Sequence, residues 1–172
     1  MSGLARLPAL LEGARKSPFK LKLLNLFLGR LIPFNRPHGV RILELGKEHV
    51  KTTAPYKPKN QNHICGVHAC CIATAAEFSS GLLFLSCLNP SRYRLIMARL
   101  EIDYHYQAKG AIIAETRIGE QRLKDEILKP LVETDKLLFT QVTEVHDDKQ
   151  NHIASVRVTW QIKRWDAVKT RV

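Results

Sequence analysis

The stretch NHICGVHACCIATAAEF, residues 62–78, decides how this chain is read. It opens a run from Ile64 to Leu88 in which residues are apolar, small or neutral polar, with Glu77 the one formally charged side chain. The run is long enough to cross a bilayer. His68, Thr74, Glu77, Ser79 and Ser80 interrupt it, however, and strand-like patterns flank it, so it reads as a buried core helix. Ala69, Cys70, Cys71, Ala73, Ala75 and Ala76 would let that helix lie close against a sheet. An unpartnered ionised carboxylate is costly to bury, so Glu77 should be paired, neutralised or put to use.

Strand patterns lie on both sides. RILELG (41–46) and HVKTTAPY (49–56) form two candidates that turn at Gly46–Lys47. After a turn at Asn89–Pro90–Ser91, residues 100–108 alternate. Leu100, Ile102, Tyr104 and Tyr106 take one face, and Glu101, Asp103, His105 and Gln107 the other, as in a half-buried strand. AIIAETRI (111–118) follows the turn at Lys109–Gly110. A polar, helix-prone insert spans roughly 120–133, and LLFTQVTEV (137–145) is a further strand before the turn in HDDKQN. In the last strand Val156, Val158, Trp160 and Ile162 alternate with polar residues. Two strands, a long apolar helix and four more strands specify an α+β fold, with the helix covering one face of an antiparallel sheet.

The N-terminal portion, residues 1–36, reads as an amphipathic helical extension to a domain over 37–172. SPFKLKLLNLFLGRLIP carries Ser17 as N-cap, Pro18 at the first helical position and Pro33 as a stop. Leu21, Leu24, Leu28 and Leu31 share a face, and a shorter amphipathic piece runs from about Leu4 to Arg15. Packing on the domain is the favoured reading of this helix. The alternative is peripheral contact with an anionic membrane.

The chain has 172 residues and a net charge of +11, from 27 Lys and Arg against 16 Asp and Glu. That excess favours an anionic partner, be it nucleic acid, an acidic membrane or a phosphate-rich cofactor. No nucleic-acid-binding motif is present, so nucleic acid is set aside. Cys65, Cys70, Cys71 and Cys87 contain no CxxC pair and no zinc spacing; no metal site is expected. They read as small buried residues with reduced thiols, which suits a cytoplasmic setting. The apolar run at 21–32 is too short to span a bilayer and no cleavage pattern follows it, so no export is read.

The start of the central helix, near Gly66, Val67 and His68, exposes backbone N–H groups and the positive end of the helix dipole. Such a terminus can polarise a carbonyl. Asn60, Asn62 and His68 surround it with hydrogen-bonding groups, and Gly66 permits close approach. Glu77 follows His68 by nine residues, on nearly the opposite side and about 13 Å further along the axis. The two ends can meet on one substrate only if two copies pack with antiparallel helices, in a two-fold dimer with two shared sites.

With these residues in place, the chain resembles the hotdog-fold acyl-CoA thioesterases, especially the branch similar to phenylacetyl-CoA thioesterases. There a long helix is wrapped by an antiparallel sheet. An Asn, then a Gly with Val-His and paired glycines, then an acid on the helix carry the chemistry. Asn62, Gly66-Val67-His68 and Glu77 match in order and spacing, and residues 39–165 fit the element order. More loosely, the chain is similar to the hotdog domain at the C-terminus of YiiD-type proteins. The paired glycines are replaced here by Ala69 and Cys70, which keep their backbone N–H groups but narrow the approach.

The resemblance implies hydrolysis of an acyl-CoA thioester. Backbone N–H groups near His68 and Ala69 would polarise the carbonyl. Glu77 of the other subunit would act as general base or nucleophile, and Asn62 would orient water or substrate. Gly66 and His68 complete the catalytic set. Asn60, Arg92, Arg94 and Lys109 are the candidates for binding substrate and the coenzyme A phosphates, Lys109 being weaker than the two arginines, as is Arg117. Tyr104 and Tyr106 would line the core or an acyl channel. Coenzyme A enters as part of the substrate, and no other cofactor is implied. The expected assembly is a homodimer, with pairing into a homotetramer left open. The competing reading is a non-catalytic acyl-CoA or acyl-chain binding module.

Overall fold

A computed structural model describes residues 7–168. Helices α1 (Leu7–Arg15), α2 (Pro18–Leu31) and the single turn α3 (Asn35–His38) precede strands β1 (Arg41–Leu45) and β2 (His49–Ala54). The central helix α4 (Ala69–Cys87) leads into β3 (Tyr93–Tyr104) and β4 (Ile112–Arg117). A helical insert follows, with α5 (Glu120–Leu123), a π-turn at Lys124–Leu128 and α6 (Pro130–Glu133). Strands β5 (Lys136–Asp147) and β6 (His152–Arg164) complete one antiparallel sheet of order β1-β2-β4-β5-β6-β3. The α+β architecture with a long covered helix is the one expected.

The sheet closes over α4 through the alternation seen in the last strand. Val156, Val158, Trp160 and Ile162 are buried, and the residues between them face outward. Buried hydroxyls then fix the rotation of α4. Thr52 Oγ1 donates to the Ala75 carbonyl at 2.6 Å and Ser79 Oγ to the Val50 carbonyl at 2.7 Å. Thr116 Oγ1 reaches Ser79 Oγ at 3.0 Å, and the Trp160 indole N–H reaches Ser80 Oγ at 2.7 Å. Each such satisfied bond contributes about 1 kcal/mol, whereas a stranded hydroxyl would cost more. With Ser79 and Ser80 held to the sheet, the opposite stripe of α4 is left uncovered. Cys70 is exposed along it, and Ala73, Thr74, Glu77 and Leu85 are half-buried.

Two element boundaries differ from the sequence reading. The apolar run enters its helix at Ala69 instead of Ile64. Residues 62–67 form a closed loop in which Asn62 Oδ1 accepts from the Ile64 and Gly66 amides at 3.1 and 2.9 Å, and Cys65 takes a positive φ of 57°. Strand β3 starts at Tyr93, well before the alternating residues, and ends at Tyr104. It is an edge strand throughout, and its register shifts between Met97 and Arg99, where neither face is fully covered and alternation is lost.

The N-terminal helices pack along β1. Leu7, Leu11, Ala14, Leu24 and Leu28 join the common core, while Leu31 stays exposed. Arg15 Nε donates to the Gly46 carbonyl at 2.9 Å. Asn25 exchanges two bonds with the backbone of Ile42, its Nδ2 donating at 2.9 Å and its Oδ1 accepting at 2.7 Å. An amide side chain thereby supplies the partner that the edge strand lacks. The amphipathic piece expected from about Leu4 to Arg15 is α1 over Leu7–Arg15, and its residues 4–6 lie outside the described residues.

Candidate active site

The first turn of α4 takes its shape from local hydrogen bonding. His68 is the N-cap, and its Nδ1 accepts from the Cys70 amide at 3.1 Å. The Cys71 and Ile72 amides donate to the His68 carbonyl at 2.9 and 3.2 Å, and the His68 amide donates to the Asn60 carbonyl at 2.7 Å. The His68 N–H, expected as a donor to substrate, is therefore occupied. Among the described residues the Ala69 N–H is the donor of this turn left open. It borders a cleft of about 370 Å³ lined by Asn62, Val67, Ala69, Ile72, Tyr104 and Tyr106, among others.

The other predicted residues near this turn divide by role. Asn62 spends Oδ1 on closing its loop, and its Nδ2 has no acceptor among the described residues. Over Gly66 lies the side chain of Gln107, at 2.8 Å from where a Cβ would stand, and Gln107 Nε2 donates to the Ile64 carbonyl at 3.2 Å. The space that glycine opens is thus filled by the protein itself. Asn60 is 1% exposed, and its Nδ2 donates to the carbonyls of His38 and Pro55, both at 2.8 Å. Its Oδ1 lies 3.0 Å from His38 Nδ1. Asn60 thus acts as a structural clasp that ties the end of α3 at His38 to Pro55 after β2. Tyr104 and Tyr106 are exposed at the cleft, and the Tyr104 hydroxyl donates to the Ala69 carbonyl at 3.2 Å.

Glu77 lies on the uncovered stripe of α4, about 12 Å along the axis from Ala69. The carboxyl group is half-buried and receives no hydrogen bond from the described residues. Burial raises its pKa above the ordinary carboxylate range, with no nearby charge to oppose the shift. The small Gly81 stands one turn further on, with Trp160 packed over it. A carboxyl group whose proton is held more tightly than usual by burial, on an open helix face, is suited to proton transfer. Within one chain it cannot reach a group held at Ala69.

The basic candidates are dispersed. Lys109 stands near the helix start, in a neighbouring depression with Tyr106, Asp148 and Lys149. Arg92 and Arg94 lie at the other end of the helix, at the start of β3. The Arg92 guanidinium sits 5.3 Å from the centre of the Tyr93 ring. Arg94 Nη2 donates to Gln161 Oε1 at 3.3 Å, on the outer face of the sheet. Because Gln161 alternates with the inward Trp160 and Ile162, this places Arg94 away from the helix side. Arg117 pairs with Glu115 on β4. Two cysteines also depart from the burial expected of them. Cys65 and Cys70 are exposed, whereas Cys71 is buried and its thiol is pushed up to about 11 by desolvation.

A six-stranded antiparallel sheet curled around one long helix, with an acid on that helix, defines a hotdog-fold domain. The chain belongs to the family described as Domain of unknown function (DUF4442), whose model matches residues 21–162. Among solved structures it is similar to PA5026 of Pseudomonas aeruginosa, described as a probable thioesterase. The two share 24% identity with a TM-score of 0.76, over 83% of this chain and 95% of that one. It is also similar to the thioesterase HI1161 of Haemophilus influenzae, at 12% identity and a TM-score of 0.68, over 87% of this chain and 94% of that one. No curated protein matches the chain.

Proposed function

We propose that the protein is an acyl-CoA thioesterase whose two sites are each shared across a two-fold dimer. The observation that carries this reading is the Glu77 carboxyl group: half-buried, unpartnered among the described residues and raised in pKa, on the one stripe of α4 that its own sheet leaves open. A second α4 packed antiparallel on that stripe would set Glu77 of one copy opposite the Ala69 N–H of the other. The small residues Ala73 and Thr74 leave room for such an approach. Strand β3 supports the same arrangement. Its twelve residues form an edge of the sheet, with Ile96 and Met97 45% and 42% exposed, and a long bare edge of this kind invites pairing.

In the shared site the thioester carbonyl oxygen accepts from the Ala69 N–H at the positive end of the helix dipole. Glu77 draws a proton from water, which adds to the carbonyl carbon, or attacks that carbon itself. The C–S bond then breaks; where water has attacked, Glu77 returns its proton to the departing coenzyme A thiolate, and where Glu77 has attacked, water hydrolyses the acyl-Glu77 anhydride, freeing the acid and supplying the thiol proton. Asn62 Nδ2 orients the water or the carbonyl. Antiparallel pairing also brings Arg92 of one copy toward Lys109 of the other, two cations suited to coenzyme A phosphates. The cysteines are free, in keeping with a reducing compartment such as the cytoplasm.

The side chains of Ala69 and Cys70, which narrow the approach, favour one other reading: a module that binds acyl-CoA without turnover. Both are tested by following thiol release from a panel of acyl-CoAs of graded chain length. Turnover by the wild type that is lost in Glu77→Gln supports the enzyme. Tight binding with no turnover in either protein establishes the module instead.

A further inference from the structure

Helix α2 is apolar on two opposite sides. Its inner side, Leu24 and Leu28, is buried against the domain, and the paired bonds from Asn25 to Ile42 lock that orientation. Phe19, Leu23 and Leu26 consequently face outward, 68%, 50% and 58% exposed, with Phe27 beside them. Soluble monomers rarely leave large apolar side chains contiguous on the surface unless that surface has a partner.

Charge identifies the partner. At about 100° per residue, Lys20 and Lys22 fall on the two flanks of this outward strip, and Arg30 lies at its far end. None of the three pairs with a carboxylate among the described residues. Between Gly13 and Leu43 the sequence has seven Lys and Arg and no Asp or Glu. An apolar strip edged by unopposed cations matches an anionic bilayer surface, where the rings and leucines enter the acyl boundary and the lysines snorkel to the phosphates. It does not match a second copy of itself, since pairing two such helices would bring Lys20 and Lys22 onto like charges. Helix α2 also packs on β1, the edge opposite β3, so the dimer interface proposed above leaves it uncovered.

We propose that α2 is a membrane-docking helix that lies in the plane of an anionic bilayer surface and holds the domain against it. This does not depend on the thioesterase reading. The test is co-sedimentation of the full chain with phosphatidylcholine vesicles with and without phosphatidylserine. Binding should be about tenfold or more tighter to the anionic vesicles and should weaken with salt. Lys20→Gln/Lys22→Gln should lower it by about tenfold, and Phe19→Ser/Leu26→Ser should abolish it. All four positions are exposed, so an unchanged melting temperature would confirm that these variants fold. Equal binding to both vesicle types overturns the proposal, as does binding that survives Phe19→Ser/Leu26→Ser. So does a wild type that ignores vesicles but forms an oligomer larger than a dimer that Leu23→Glu dissolves, since the strip would then be a protein contact. Because the substituted residues lie outside the cleft, Phe19→Ser/Leu26→Ser should turn over a water-soluble short-chain acyl-CoA at the wild-type rate. Loss of vesicle binding with turnover intact separates the two functions.

Discussion

Glu77 and Gly81 stand one turn apart on α4, and Glu77 Oε1 lies 3.7 Å from where a Cβ on Gly81 would be. The same point is 3.1 and 3.3 Å from Cη2 and Cζ2 of Trp160. The missing side chain is what lets the indole edge pack against the helix at the turn that carries the carboxyl group. Trp160 is 4% exposed and tied to Ser80, so its ring has little room to yield. Gly81→Ala should therefore cost about 1–3 kcal/mol in overpacking, against about 1 kcal/mol gained in helix propensity. The expected result is a melting temperature lowered by a few degrees with kcat reduced, read by thermal denaturation and thiol release. A variant more stable than wild type would show that the ring is not fixed.

Burial keeps the proton on Glu77 at pH values where the unfolded chain has already lost it. In that window the folded state binds more protons, so stability falls as pH rises from the unfolded pKa through the raised folded one, and then levels off. Glu77→Gln removes the burden. It should raise the melting temperature at neutral pH, by about 2–4 °C for each kcal/mol relieved, and leave it unchanged below about pH 4. Wild-type turnover should fall as pH drops through the same raised pKa, since the carboxylate is the working form. A lower melting temperature for the Gln variant at pH 7 would mean that the carboxylate has a stabilising partner.

The fold was legible where periodicity and burial coincide. The alternation at Val156, Val158, Trp160 and Ile162 identifies a covered strand, and the small residues of 69–87 identify a helix under a sheet. Ile64 and Cys65 look helical in sequence because they are apolar, whereas their loop is closed by a single Asn62 oxygen and a left-handed Cys65 that composition does not reveal. Asn60 resembles a ligand in sequence because its partner His38 lies 22 residues away, in a helix that only the fold brings near it. The outer strip of α2 was hidden for a different reason. The shared face of Leu21, Leu24 and Leu28 does turn to the core, but Phe19, Leu23 and Leu26 are as apolar as that face, so their outward position follows only from the bonds of Asn25 to Ile42.

Asn62 can be split into two functions by one substitution. Its Oδ1 holds the Ile64 and Gly66 amides, while its Nδ2 is the group proposed to orient the reactants. Asn62→Asp keeps the acceptor and deletes the donor, and an acid near a helix start is tolerated electrostatically. The melting temperature should stay at the wild-type value while kcat/KM drops about tenfold, the worth of one hydrogen bond. Asn62→Ala should lose both properties. Full activity in Asn62→Asp would reduce Asn62 to a loop-closing residue.

The shared site makes a quantitative demand on mixed dimers. Ala69 is the first residue of α4, and His68 before it has φ −63° and ψ 138°, a conformation that accepts a following proline. Ala69→Pro thus deletes the open N–H with the helix start preserved, and kcat should fall about 10²–10³-fold, as when an oxyanion donor is removed. Glu77→Gln should be inactive for the complementary reason. If each site takes its acid from one copy and its amide from the other, a dimer containing one chain of each variant has one site with both defects and one with neither. Half of the dimers in an equimolar, re-equilibrated mixture are of this mixed kind, so about a quarter of wild-type activity should return. Were acid and amide to serve the same site from a single chain, mixing two dead proteins would restore nothing, and the antiparallel arrangement of α4 would have to be abandoned.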